Sequence, residues 1–191
     1  LILPAAEKQQ INEALYQIKY RHIVCDKWNF ESRLAYGKGL TMLFAGPPGT
    51  GKTMAATVVA GDLGLPAYRV DISQIMSKYI GETEKSLGEI FDAAEKCSAI
   101  LFFDETDALF GKRSEIKDSH DKYANVETSF LLQRLESFDG IVLMATNLLQ
   151  NIDEAFIRRI SCIVNFPLPN AEQAPEAQPI PNVNIPPQPQ P

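Results

Sequence analysis

Gly46, Pro47, Pro48, Gly49, Thr50, Gly51, Lys52 and Thr53 fit the pattern G-x-x-x-x-G-K-[ST]. Each fixed position has a chemical reason. The glycines let the backbone wrap a phosphate without side-chain collision, and the amides at the start of the following helix point inward at it. Lys52 can then neutralise the β and γ phosphates of a nucleotide, and the Thr53 hydroxyl can ligate Mg²⁺. The four fixed positions would match by chance in about one chain in a hundred of this size. The apolar run Leu40–Ala45 before the segment and the amphipathic stretch Lys52–Leu63 after it supply the strand-to-helix context that the chemistry needs.

A second segment, Ile100-Leu-Phe-Phe-Asp-Glu105, ends four apolar residues with two carboxylates. Asp104 can hold Mg²⁺ through water, and Glu105 can polarise a water that attacks the terminal phosphate. Alone, an acidic pair after a strand is common; together with the glycine loop it is specific. Met144-Ala-Thr-Asn147 ends a further apolar run with an amide. Asn147 there reads either as a turn residue closing a strand or as a group that orients the attacking water or senses the γ-phosphate. Asp153-Glu-Ala-Phe-Ile-Arg-Arg-Ile160 places Arg158 and Arg159 side by side at a short helix end. Surface arginines are usually solvated charges; in a phosphoryl-transfer site they can instead stabilise transferring charge.

These groups need a scaffold that brings distant segments together. Five short apolar runs read as buried parallel strands: Leu40–Ala45, Ala67–Val70, Ala99–Phe103, Ile141–Ala145 and Cys162–Phe166. Helical patterns alternate with them over Lys52–Leu63, Lys85–Cys97 and Tyr123–Phe138, and an opening helix is expected over Glu7–Arg21, where Ile11, Ala14, Leu15 and Ile18 share one face. This alternation implies an α/β sandwich with a parallel sheet covered on both faces, its loop chemistry at the carboxyl ends of the strands. The 191 residues, 45% of them hydrophobic, suffice for one domain with a real core. No apolar run is long enough for a bilayer, so no membrane partner is expected. The net charge of −6 offers no basic surface, which argues against nucleic acid as the main partner. Cys25, Cys97 and Cys162 are widely spaced, as expected of free thiols in a reducing cytoplasm.

The end of the chain changes character. Nine of the 13 prolines follow Phe166, and no apolar periodicity remains after Ala171. Each proline removes a donor and fixes φ, so 171–191 is expected to be a disordered or polyproline-like tail behind a core of residues 1–170.

In this order and spacing, GPPGTGKT, ILFFDETD, MATN and DEAFIRRI resemble the AAA+ ATPase family, and within it the AAA branch in the narrow sense. The resemblance covers roughly Ala6 to Pro169. It implies a P-loop NTPase three-layer sandwich whose five-stranded parallel sheet has the order 5-1-4-3-2. It also implies ATP and Mg²⁺ as ligands and a homo-oligomeric, usually hexameric ring with ATP held between subunits. By position Lys52 and Thr53 become the Walker A pair, Asp104 and Glu105 the Walker B pair, Asn147 the sensor 1 residue, and Arg158 and Arg159 arginine fingers acting on the neighbouring subunit. Ser77–Lys85 is similar to the family's first pore loop, in which Tyr79 would grip a polypeptide beside Ile80 while Gly81 frees the loop. Residues 111–123 fall where the family has its second pore loop. The wording of DALFGKRSEIKDSHDKYANVE is similar to bacterial AAA proteins, some of which accompany contractile phage-tail-like injection particles. Thr106 stands where the family often has Ala. After Pro169 the family continues into a helical lid, which this chain is expected to lack.

The implied function is Mg-dependent ATP hydrolysis coupled to remodelling or unfolding of a protein substrate. A nucleotide-gated assembly module with little turnover is the alternative. A small-molecule kinase also uses a P-loop but needs neither tandem arginines nor an aromatic pore step.

Overall fold

The five apolar runs form five parallel strands, and their alternating side chains divide the core into two halves. The computed structural model describes residues 3–28, 39–72, 75, 82–108 and 119–168. The strands are β1 (Leu40–Ala45), β2 (Ala67–Asp71), β3 (Ile100–Asp104), β4 (Ile141–Thr146) and β5 (Cys162–Asn165). They lie in the order β2-β3-β4-β1-β5, which is the expected 5-1-4-3-2 read from the other edge. Register makes the strand ends level: Ala45 of β1 pairs with Thr146 of β4, and Phe103 of β3 with Met144. The segments that leave β1, β3 and β4 therefore emerge side by side, and they carry Gly46, Glu105 and Asn147.

Among the described residues, the helices that cover the sheet include α1 (Ala5–Trp28), α2 (Lys52–Leu63), α3 (Glu82–Cys97), α4 (Ser119–Ser137) and the single turn α5 (Glu154–Ile157). On one face Met42, Phe44, Ile100, Phe102 and Leu143 pack with Ile11 and Leu15 of α1 and with Ala55 and Val59 of α2. On the other, Leu43, Leu101, Phe103 and Met144 pack with Leu87 and Phe91 of α3 and Leu131 and Leu135 of α4. Every residue of β1, β3 and β4 is buried, which is why those strands read as continuous apolar runs and not as alternating ones. Phe91 closes the second half, edge-on to Phe138 at 5.1 Å between ring centres. Truncating a buried ring of this kind costs roughly 3–5 kcal/mol.

Element boundaries differ from the expected ones in instructive ways. Helix α3 starts at Glu82 instead of Lys85, with Glu82 and Glu84 in the first turn, where carboxylates complement the helix dipole. Helix α4 starts at Ser119, so residues 119–123 of the expected second pore loop are helical. No Gly or Pro interrupts Ser119–Ser137, and propensity carries the helix backward past the last apolar position. Tyr79, Ile80, Gly81, residues 109–118 and the tail 171–191 lie outside the described residues, as does the place where a lid would follow. Among the described residues, no helix is long and apolar enough to cross a membrane.

Candidate functional site

The glycine loop is fixed at its base by close packing. A Cβ on Gly46 would lie 2.2 Å from the Phe166 carbonyl oxygen. The Gly46 N–H donates to Thr146 O at 3.2 Å, and the Phe166 N–H donates to Ala45 O at 2.7 Å. Only a residue without a side chain fits between β4 and the exit of β5. At the other end Gly51 takes φ 92°, turning the chain into α2 through a left-handed conformation that costs other residues about 1 kcal/mol. Between them the Thr50 hydroxyl donates to Pro47 O at 2.9 Å and ties the loop across. The first N–H groups of α2 have no partner within the helix, which leaves donors and the positive dipole end at the loop.

Lys52, the first residue of α2, is 8% exposed. Its ammonium donates to Gly46 O at 2.7 Å, Pro47 O at 2.8 Å and Asn147 Oδ1 at 2.9 Å. Burial pushes its pKa below the ordinary 10.5, and the nearby Asp107 and Asp104 carboxylates oppose that fall. The charge is thus held ready by neutral acceptors that phosphate oxygens can replace.

Asp104 ends β3 with both oxygens in use. Oδ2 accepts from the Thr53 hydroxyl at 3.2 Å and pairs with the Arg69 guanidinium at 2.9 Å, while Oδ1 accepts from the Glu105 N–H at 3.1 Å. Glu105 is exposed, with φ 52°, a strained value for a residue with a side chain. That turn points the chain away from the strand and into a 3-10 turn, Thr106–Ala108. Thr106 is fully buried, and its hydroxyl donates to Ala145 O at 2.9 Å, tying the end of β3 to β4. The departure from Ala thus adds a strand-to-strand link.

Asn147 follows β4 and faces Lys52 with its carbonyl, while its Nδ2 donates to Asp107 Oδ2 at 2.9 Å. Asp107 also accepts from the Asn147 N–H at 3.0 Å, the Leu148 N–H at 3.3 Å and the Thr146 hydroxyl. One carboxylate therefore holds the whole Thr146–Leu148 corner. Sequence reading missed Asp107 and Arg69. The first was visible only as a third acid in DETD, and the second gives no local signal, because its partner is on another strand.

The two arginines are not equivalent. Arg158 is 78% exposed at its side chain and pairs with Glu154 at 3.2 Å. Arg159 is 29% exposed and pairs through Nε with Glu136 Oε1 of α4 at 2.6 Å. Neither pair shares a residue with the Lys52 cluster. A hollow of about 390 Å³ opens beside the loop between Glu7, Gly46, Pro47, Asn147, Gln150 and Phe166. A larger one, about 730 Å³, runs along β2 and α3 with Arg69 on its rim and shares no residue with the loop. Convergent polar groups locate the site; size does not.

These donors fit a nucleoside phosphate with a hard divalent cation. The loop offers backbone amides, a buried ammonium and a Gly46 footing that no side chain could share. Thr53 and Asp104 offer the oxygen ligands that Mg²⁺ prefers. Comparison with known proteins points the same way. Residues 42–168 match the family described as "ATPase family associated with various cellular activities (AAA)". The chain is 39% identical over 132 residues to the AAA family ATPase y4kL of Sinorhizobium fredii, which covers 68% of this chain and 39% of that one. It is 42% identical over 136 residues to a proteasome-activating nucleotidase of Aeropyrum pernix, covering 68% of this chain and 33% of that one. It is 37% identical over 141 residues to spastin of Bos taurus, covering 69% and 22%. The match thus spans well under half the length of each relative. Among solved structures, the FIGL-1 AAA domain in complex with ADP superposes with a TM-score of 0.66 at 28% identity, over 90% of this chain and 55% of that one. With the glycine loop, the paired carboxylates and the strand order all in place, the chain belongs to the AAA family of P-loop ATPases.

Proposed function

We propose that this chain binds ATP with Mg²⁺ and hydrolyses it as one subunit of a cytoplasmic ring, usually of six copies, using the turnover to remodel a protein substrate. The observation that carries this reading is the convergence of Lys52, Thr53, Asp104 and Asn147 at three adjacent strand ends. The ADP held by the FIGL-1 domain and the name of the nucleotidase relative support it.

Each residue then has a role. Lys52 exchanges its carbonyl partners for phosphate oxygens, and the amides of Gly49, Thr50 and Gly51 line the same phosphates. Thr53 and Asp104 would hold Mg²⁺, which when bound supplies neutralisation of charge on the terminal phosphate oxygens. Glu105, exposed beyond the strand tip, takes a proton from the attacking water. Asn147 orients that water. The hollow beside Gly46 and Pro47 takes the nucleoside. Arg158 and Arg159 act on the neighbouring subunit's site, and the more exposed Arg158 is the one presented outward. Tyr79, Ile80 and Gly81 grip the polypeptide, a role drawn from resemblance alone. Residues 1–170 form the working core, and 171–191 a tail.

One observation favours a second reading, a nucleotide-gated assembly module with little turnover. Lys52, Thr53, Asp104 and Asn147 are already satisfied within the chain. Steady-state ATP turnover measured against protein concentration, with Glu105→Gln as the blank, separates the two. A specific rate that rises with concentration and vanishes in the variant is expected. A flat rate at the variant's level would leave only the module.

A further inference from the structure

Arg69 sits on the edge strand β2, opposite Phe102, yet its guanidinium reaches two positions along the sheet to Asp104. Asp104 is 11% exposed at its side chain and Arg69 is 63% exposed. The oxygen that Arg69 pairs with is the same Oδ2 that accepts from the Thr53 hydroxyl. A buried carboxylate without a counter-charge is costly, and here the counter-charge is a largely exposed side chain rooted on the edge strand. The local charges balance, with Lys52 and Arg69 set against Asp104 and Asp107.

We propose that Arg69 is a placeholder cation that neutralises Asp104 until Mg²⁺ arrives with the nucleotide, and that it must withdraw from Oδ2 for the metal to load. The inference rests on the reading of this site as a Mg-nucleotide site. A metal held by Asp104, directly or through water, and a guanidinium on the same carboxylate repel each other, and the arginine is the one with an exit, because most of its side chain already lies in solvent. Its long stem lets the guanidinium swing outward while β2 stays in register. Arg69 thus sets the metal concentration at which the site fills, which is a positioning role and not a catalytic one.

The test is a titration of Mg²⁺ into the full chain with a fluorescent, methylanthraniloyl-labelled ATP, comparing wild type with Arg69→Met and Arg69→Lys. Thermal melting with and without Mg-ADP is followed in parallel. Arg69→Met should reach half-saturation at roughly three-fold lower Mg²⁺, the scale of a half-exposed ion pair broken on loading. It should also gain more in melting temperature from Mg-ADP than wild type does. Arg69→Lys should fall between the two, and the effect of Arg69→Met should disappear in an Asp104→Asn background. Unchanged or weaker Mg²⁺ affinity in Arg69→Met, with labelled ATP still binding, would overturn the placeholder role alone. If labelled ATP binds wild type no better than Lys52→Ala, the Mg-nucleotide reading falls, and the placeholder with it.

Discussion

Asp107 holds Asn147 at two points, accepting its backbone N–H at 3.0 Å and its side-chain amide at 2.9 Å, so the Asn147 side-chain carbonyl is turned toward Lys52. The orientation of the amide is thus decided by a residue of the 3-10 turn that follows β3. Asp107→Ala should slow ATP turnover by roughly ten- to a hundred-fold while changing nucleotide affinity only a few-fold. Adding Asn147→Ala to Asp107→Ala should cause little further loss, because the two act as one unit. Additive losses in kcat for the double variant would show that Asp107 supports the fold and not the asparagine.

Lys52 gives a pH signature. Its folded-state pKa lies below 10.5, so between the lowered value and 10.5 the unfolded chain keeps a proton that the folded chain has lost. The contribution of this residue to stability therefore rises with pH through that window. Phosphate binding needs the ammonium, so nucleotide affinity should fall over the same range, by up to about ten-fold per pH unit once Lys52 is mostly neutral. Melting curves and nucleotide titrations across the alkaline range, referenced to Lys52→Met, check both trends. Identical slopes in the two proteins would remove Lys52 as their cause.

The arginine pair separates by stability. Arg159→Ala breaks the contact with Glu136 and should cost about 0.5–1 kcal/mol, whereas Arg158→Ala, whose pair with Glu154 is exposed on both sides, should leave melting unchanged. Arg158→Ala should nonetheless slow hydrolysis. Mixing it with Glu105→Gln should restore turnover if the arginine works on a neighbour's site. No recovery at any ratio would count against action between subunits.

Gly46→Ala places a methyl group against the Phe166 carbonyl at 2.2 Å, and either the loop or the exit of β5 must move. A loss of about 2 kcal/mol is expected, a fall in melting temperature of roughly 4–8 °C. An unchanged melt would mean that the loop base is looser than its packing indicates.

The sequence carried the groups that act through covalent neighbours and concealed those that act through space. Lys52, Thr53, Asp104 and Glu105 were legible because their motifs combine a residue type with an apolar run that must be a strand. The sheet order followed from resemblance, since periodicity places strands but does not rank them. Arg69 reads as an ordinary edge-strand cation until β2 and β3 are paired, and only then does its reach to Asp104 exist. Thr106 likewise looks like a minor exchange for Ala until β4 lies alongside to take its hydroxyl. Tandem Arg158 and Arg159 were legible as a pair, but their inequality comes from Glu136, which only the fold brings near.

The left-handed backbone at Glu105 sets durability against chemistry at a single position. Glycine or asparagine there would relax the backbone by about 1 kcal/mol and remove the proposed base in the same step. A library selected only for heat resistance would therefore drift toward losing that carboxylate, and the hardiest survivors would be the idle ones.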